Sequence, residues 1–167
     1  TFIANEIESY RSKFGTMTPG ILPVSGNTPF GLEVGALPSG RHAWKPLADG
    51  VSPNGGTDTE GPGAVLKSVS HLPHDRFLNM KIEPEMLNSE NGIMQMMALL
   101  KSMCSLGIFH VQFNVIDRET LLAAQERPEE YRGLLIRVAG YTAYFTELGK
   151  DVQDEIIART EQESLYG

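Results

Sequence analysis

Arg137-Val-Ala-Gly-Tyr-Thr-Ala-Tyr-Phe145 takes over from the apolar run Leu134-Leu-Ile-Arg-Val-Ala139, breaks it on a glycine, and continues into Tyr141, Tyr144 and Phe145. The run over 134–139 predicts a strand, and Gly140 predicts its end. Taken alone, a glycine at that place is a turn residue. Whether it is more depends on what surrounds it.

Upstream, Asp117 is placed to cap a helix through about Glu126, and Pro128 stops that helix or opens the next turn. Phe109-His-Val-Gln-Phe-Asn-Val115 alternates strictly, with Phe109, Val111, Phe113 and Val115 on one face and His110, Gln112 and Asn114 on the other. That pattern predicts a half-buried strand. Before it, residues 89–106 carry Ile93, Met96, Met97, Leu100, Met103 and Cys104 at helical spacing, with Ser89 as N-cap and Gly107 as terminator. Downstream, Asp151 is expected to cap a last helix that aligns Val152, Ile156 and Thr160. Strands that alternate with helices define an α/β chain. No internal repeat is visible.

The N-terminal third differs. Residues 15–63 hold 11 of the 17 glycines and 7 of the 10 prolines, which predicts turns and irregular backbone. Irregular stretches of that length are usually functional or packed on something larger. Phe30, Leu32, Val34, Leu37, Trp44 and Leu47 recur through it, so an extended docked segment is expected rather than disorder.

Composition bounds the function. The formal charge of −7 argues against nucleic-acid and anionic-membrane partners, which select basic patches. No apolar run reaches 18 residues, and the first residues lack the basic-then-apolar order of a signal peptide. A single cysteine closes no internal disulfide, which suits a reducing compartment, and a cytoplasmic location is expected. Thr1 in place of an initiator methionine leaves processing, a fragment or a partial record open.

The stretch around Gly140 resembles the signature of the glycyl radical enzymes, in which the glycine of an Arg-Val-Ala/Ser-Gly-Tyr/Phe run holds the radical. Further blocks follow the same order. They are Gly35-Ala-Leu-Pro-Ser-Gly-Arg41 with Pro46-Leu-Ala-Asp-Gly-Val-Ser-Pro53, Gly61-Pro-Gly-Ala-Val-Leu-Lys-Ser-Val-Ser70, Val111-Gln-Phe-Asn-Val115, Leu121-Leu-Ala-Ala-Gln-Glu-Arg-Pro-Glu-Glu-Tyr131 and Val152-Gln-Asp-Glu-Ile-Ile-Ala-Arg-Thr-Glu161. The likeness runs from about residue 30 to the end. The chemistry needs glycine, because a Cα radical is shared between the flanking amide and carbonyl only when the centre is planar and free of a side chain. Glycine's backbone freedom is also expected to shape the tight loop.

The resemblance implies a Gly/Pro-rich wrapping segment over residues 1–88 that completes a ten-stranded β/α barrel with its closing strands and helices, and a glycyl radical domain over 89–167. It implies that a radical S-adenosylmethionine activase installs the radical on Gly140, with no bound cofactor and no metal. It further implies transfer of the radical to a cysteine on a barrel loop, which then takes a hydrogen atom from a small-molecule substrate. Exposure of the radical to oxygen is expected to cut the chain at Gly140 and release residues 141–167.

The Gly-Cys-x-Glu loop that carries the family's catalytic cysteine does not occur in the chain. Cys104 is expected to be a buried helix residue with a structural role. The catalytic cysteine and its glutamate are therefore expected on a large barrel subunit or a missing N-terminal part. His71, His74 and His110 lack a cysteine or carboxylate cluster at ligand spacing and read as ordinary polar residues. By position in the family, Asn79, Lys81 and Glu83 align with a pocket-lining segment; from the residues alone, solvated polar groups are the stronger expectation. Met94, Met96, Met97 and Met103 read as core filler.

Three functions remain open on this reading. One is the radical-carrying small subunit or C-terminal portion of a lyase. Another is a spare radical domain that repairs an oxygen-cleaved enzyme. The third is a docking protein that keeps the scaffold without the radical. Ala139-Gly-Tyr-Thr-Ala143 sides with the diol dehydratase, choline lyase, arylacetate decarboxylase and benzylsuccinate synthase branches, not with pyruvate formate-lyase. Cleavage of a C–O or other C–X bond is expected, with decarboxylation or C–C bond formation as the alternative.

Overall fold

The structure is a computed structural model and describes residues 2–20, 26–72, 77–108 and 110–159, with the backbone of 161–162. His74, Phe109 and Thr160 lie outside the described residues. In chain order the elements are α1 (Phe2–Ser9), β1 (Arg11–Ser12), β2 (Gly15–Thr16), α2 (Asn27–Leu32), α3 (Gly61–Val69), β3 (Phe77–Ile82) and α4 (Glu90–Ser105). Then come β4 (His110–Val115), α5 (Arg118–Glu126), β5 (Leu135–Arg137), β6 (Thr142–Tyr144), α6 (Lys150–Ala158) and β7 (Glu161–Gln162). The chain is α/β, as the alternation predicts.

β3 and β4 pair in parallel from Phe77 opposite His110 to Ile82 opposite Val115, with α4 as the crossover. β7 pairs in parallel with the other edge of β3, which gives the order β4-β3-β7. β3 was not expected from the sequence. Flanked on both edges and buried at Leu78 through Ile82, it has no solvent face, so no alternation marks it.

Two cores form. The first joins Val65, Leu66 and Val69 of α3 with Leu78 and Met80 of β3, Leu99 of α4 and Ile108. The second joins Ile116, Leu121 and Ala124 with Ile136, Val138 and Phe145, and with Ile156 and Ile157 of α6.

Helix boundaries follow the expected chemistry, with corrections. Ser89 caps α4 by accepting from the Gly92 amide at 3.0 Å, and Gly107 ends the helix with φ +67°. Asp117 caps α5 by accepting from Thr120 at 2.6 Å, and Pro128–Tyr131 forms a 3-10 turn. Asp151 does not cap α6. Gly149 occupies that position, and Asp151 lies in the first turn.

The face of α4 also differs from expectation. Met96, Leu99 and Met103 pack into the first core, whereas Ile93, Met97, Leu100 and Cys104 form an exposed stripe. Two apolar stripes run along this helix, and spacing could not say which one the chain itself covers. Cys104 is therefore not buried, and Met94 and Met97 are exposed rather than core filler.

The wrapping segment is irregular but ordered by its own bonds. Arg41 is buried and donates to the carbonyls of Val34, Gly35, His42 and Lys45. Gly31 sits so close to Lys45 that a Cβ there would stand 2.2 Å from the Lys45 carbonyl oxygen. Phe30, Leu32, Leu37 and Trp44 remain exposed, Trp44 at 69%.

Candidate functional site

β5 and β6 form an antiparallel hairpin in which Arg137 faces Thr142, so Val138-Ala-Gly-Tyr141 is its four-residue loop. The strand expected over 134–139 stops at Arg137 because Val138 and Ala139 leave the ladder and turn inward, where both are buried. Val138 N–H donates to the Tyr141 carbonyl at 3.0 Å and closes the loop. Gly140 is exposed at its tip. Its φ is not among the positive ones, so the loop turns without a left-handed backbone at this glycine.

Every carbonyl from 137 to 140 is engaged. The Arg137 carbonyl accepts from Asn114 Nδ2 at 2.8 Å and from Arg159 at 3.3 Å. The Val138 carbonyl accepts from Arg159 at 2.5 Å, and the Ala139 carbonyl from Asn79 Nδ2 at 3.4 Å. The Gly140 carbonyl accepts from the Arg137 guanidinium at 3.0 Å. The same guanidinium donates to Thr142 Oγ1 at 3.0 Å and to Gln112 Oε1. Asn114 Oδ1 accepts from the Arg137 amide at 2.8 Å, so Asn114 engages both the N–H and the carbonyl of Arg137.

A second layer stands behind these donors. Arg159 makes a two-pronged ion pair with Glu155, at 3.1 and 2.9 Å, and lies 3.7 Å from the Asp49 carboxylate. Asn79 Nδ2 also donates to Asp49 Oδ2 at 2.5 Å, while the Asn79 amide N–H is held by Ser52 Oγ at 3.0 Å. Asp49 is 3% exposed, and neither its Oδ1 nor Asn79 Oδ1 meets a donor among the described residues. Burial pushes the Asp49 carboxyl above its ordinary value, against the smaller opposing pulls of Arg159 and the Asn79 hydrogen bond.

The other expected residues fall in different places. Asn79 and Lys81 are buried on β3, not solvated; Asn79 reaches the glycine loop, and Lys81 donates to the Ile157 carbonyl at 3.4 Å. Glu83 is half-buried just beyond β3. His71 is exposed at the end of α3, and His110 packs against Phe77 with ring centroids 4.9 Å apart. Among the described residues, no group of three or more His, Cys, Asp or Glu side chains is placed to hold a metal. No described helix is long and apolar enough to cross a membrane. Cys104 is exposed on α4, which contributes none of the hydrogen bonds to the loop.

Sequence reasoning missed Asp49, Gln112, Asn114 and Arg159 as partners of the loop. A signal existed for two of them. Gln112 and Asn114 share the polar face of the alternating strand, and an amide pair there has to satisfy something nearby. For Arg159 and Asp49, nothing local marked their role.

The family described as "Glycine radical" matches residues 47–146, which include the loop. Isethionate sulfite-lyase of Oleidesulfovibrio alaskensis is 40% identical across 98% of the chain, a match that spans 22% of that relative. Trans-4-hydroxy-L-proline dehydratase of Clostridioides difficile is 41% identical across 85% of the chain and 18% of the relative. Among solved structures, the B12-independent glycerol dehydratase of Clostridium butyricum superposes with a TM-score of 0.86 and 46% identity, over 96% of this chain and 21% of the other. The chain thus spans about a fifth of the length of the relatives it matches.

Proposed function

Because the chain belongs to the glycyl radical enzyme family, we propose that Gly140 stores its radical and that the chain is the radical-carrying portion of a lyase. The observation that carries this reading is the loop itself. Gly140 is exposed at the tip of a hairpin while each carbonyl from 137 to 140 is held by a side-chain donor. A storage site needs that combination, since a hydrogen atom must leave and return at Cα while the flanking peptide planes stay fixed. Donors on the two carbonyls flanking Gly140 also hold the planes over which the unpaired electron would spread.

On this reading an activase removes one hydrogen atom from the Gly140 Cα. The radical later recovers a hydrogen atom from a cysteine thiol, which leaves a thiyl to attack substrate. Residues 1–88 complete a barrel and 89–167 carry the radical, joined through the pairing of β3 with β4. The cysteine and its assisting glutamate belong to the remaining four-fifths of the enzyme, whether on a large barrel subunit or on the same polypeptide. The relatives named above are a sulfite-lyase and two dehydratases, which supports C–O or other C–X bond cleavage of a small-molecule substrate.

Anaerobic activation of the complete enzyme, with activase, reductant and S-adenosylmethionine, tests the assignment. Electron paramagnetic resonance is expected to show a doublet split by one α-hydrogen. The same doublet from Gly140→Ala would place the radical elsewhere.

A further inference from the structure

The loop at Gly140 is not held by its own hairpin alone. Donors from a buried strand and from the end of the last helix converge on three successive carbonyls, and Asp49 of the wrapping segment stands behind them. Arg159 spans the Arg137 and Val138 carbonyls, and Asn79 takes that of Ala139, the peptide directly before the glycine. Both donors are themselves pinned. Glu155 grips the Arg159 guanidinium from one side, and the buried Asp49 carboxylate lies between Arg159 and Asn79.

We infer that Arg159 and Asn79, locked by Glu155 and Asp49, are positioning residues that set where the Gly140 Cα stands and how its preceding peptide plane is turned. The inference rests on the reading of Gly140 as the radical site.

The physical reason lies in the donor types. A guanidinium offers a planar fork of five N–H groups, so a single Arg159 can serve two neighbouring carbonyls and a carboxylate together. A lysine at 159 could keep the attraction to Glu155 but could not span both carbonyls at fixed angles. Asn79 faces the opposite demand. Its one amide nitrogen gives one hydrogen to Asp49 and the other to Ala139, so the carboxylate orients the amide that orients the loop. Hydrogen-atom transfer between backbone and thiol is a contact reaction, and a misplacement of about 1 Å is enough to slow a positioned reaction by about a hundredfold. A loop of four residues without these anchors would sample many such misplacements.

The test uses the complete enzyme with Arg159→Gln, Arg159→Lys and Asn79→Ala. Before activation, amide hydrogen exchange over residues 137–142 is expected to accelerate at least about tenfold in Arg159→Gln and Asn79→Ala, with unchanged protection of the first core around Leu99–Ile108. Arg159→Lys should fall between these variants and the parent protein. After activation, the glycyl doublet of Arg159→Gln is expected to broaden, because the frozen loop holds several orientations of the Cα–H bond.

Unchanged exchange at 137–142 in Arg159→Gln and in Asn79→Ala would overturn the inference. So would acceleration spread equally over both cores, or an Arg159→Lys protein identical to the parent. If Arg159→Gln does not fold, Asn79→Ala decides by the same two readouts. Absence of a doublet in the parent protein would sink the assignment of Gly140, while the exchange data would still judge the anchors.

Discussion

Two aspartates show how one side-chain type serves opposite ends through its surroundings. Asp117 sits at a helix N-terminus, and the Thr120 hydrogen bond draws its carboxyl below the ordinary value of 3.8. Its contribution to stability is present above that value and is lost as pH falls through the lower folded-state one. Asp49 behaves inversely, because burial raises its carboxyl above 3.8 and its Oδ1 meets no donor among the described residues. The folded protein therefore binds the Asp49 proton more tightly than the unfolded chain does. That preference favours folding below 3.8 and is lost as pH rises through the folded-state value. The charged groups around it are Arg159, itself paired to Glu155, and Lys81 and Asp58, which line a small cavity together with Asp49. Asp49→Asn cannot titrate, so its unfolding midpoint is expected to lack the decline that the parent shows on leaving acid. A parent and variant with parallel pH profiles would show that Asp49 carries no such penalty. For Gly140 the residue scale is less telling. Its φ is not a left-handed one, and it is the engaged carbonyls around it that set the loop apart.

Elements were legible where local chemistry decides and opaque where distant neighbours do. Ser89, Asp117 and Gly107 mark helix ends through bonds made within a few residues, so their sequence carries the information. β3 is opaque because Asn79 and Lys81 are polar yet buried, each satisfied by partners far along the chain. α4 shows a third case, in which the period is clear but the buried face is not. Met96, Leu99 and Met103 meet the first core, while Ile93, Met97, Leu100 and Cys104 lie on a stripe that this chain leaves open. Four-fifths of the relatives' length lies beyond what the chain matches, and on the proposed reading part of it would pack on this stripe. A thiol reagent is expected to modify Cys104 readily in the separate chain and at least tenfold more slowly in the complete enzyme. Equal rates would leave the stripe in solvent in both. Cys104→Ala is expected to keep turnover in either case, since α4 sends no donor to the glycine loop.

At the scale of the molecule, the loop divides the chain into two very unequal parts that the fold does not keep apart. Residues 141–167 pair through β6 with β5 and through β7 with β3. They place Phe145, Ile156 and Ile157 in the second core, each worth about 1.5–3 kcal/mol of burial. They also send Arg159 back to the Arg137 and Val138 carbonyls and offer the Ile157 carbonyl to Lys81 and Arg118. The resemblance implies release of residues 141–167 on oxygen scission at Gly140; this packing changes the expectation to a nicked protein whose two pieces stay together. A denaturing gel should resolve two pieces, and a native mass measurement should find them still together. A 27-residue peptide appearing free in solution would contradict this. The wider consequence concerns repair. On the proposed reading, a replacement domain would first have to displace a stub whose Phe145, Ile156 and Ile157 sit in the second core. Oxygen injury would then be a wound closed over its own debris, and recovery would be paced by how fast the stub unzips.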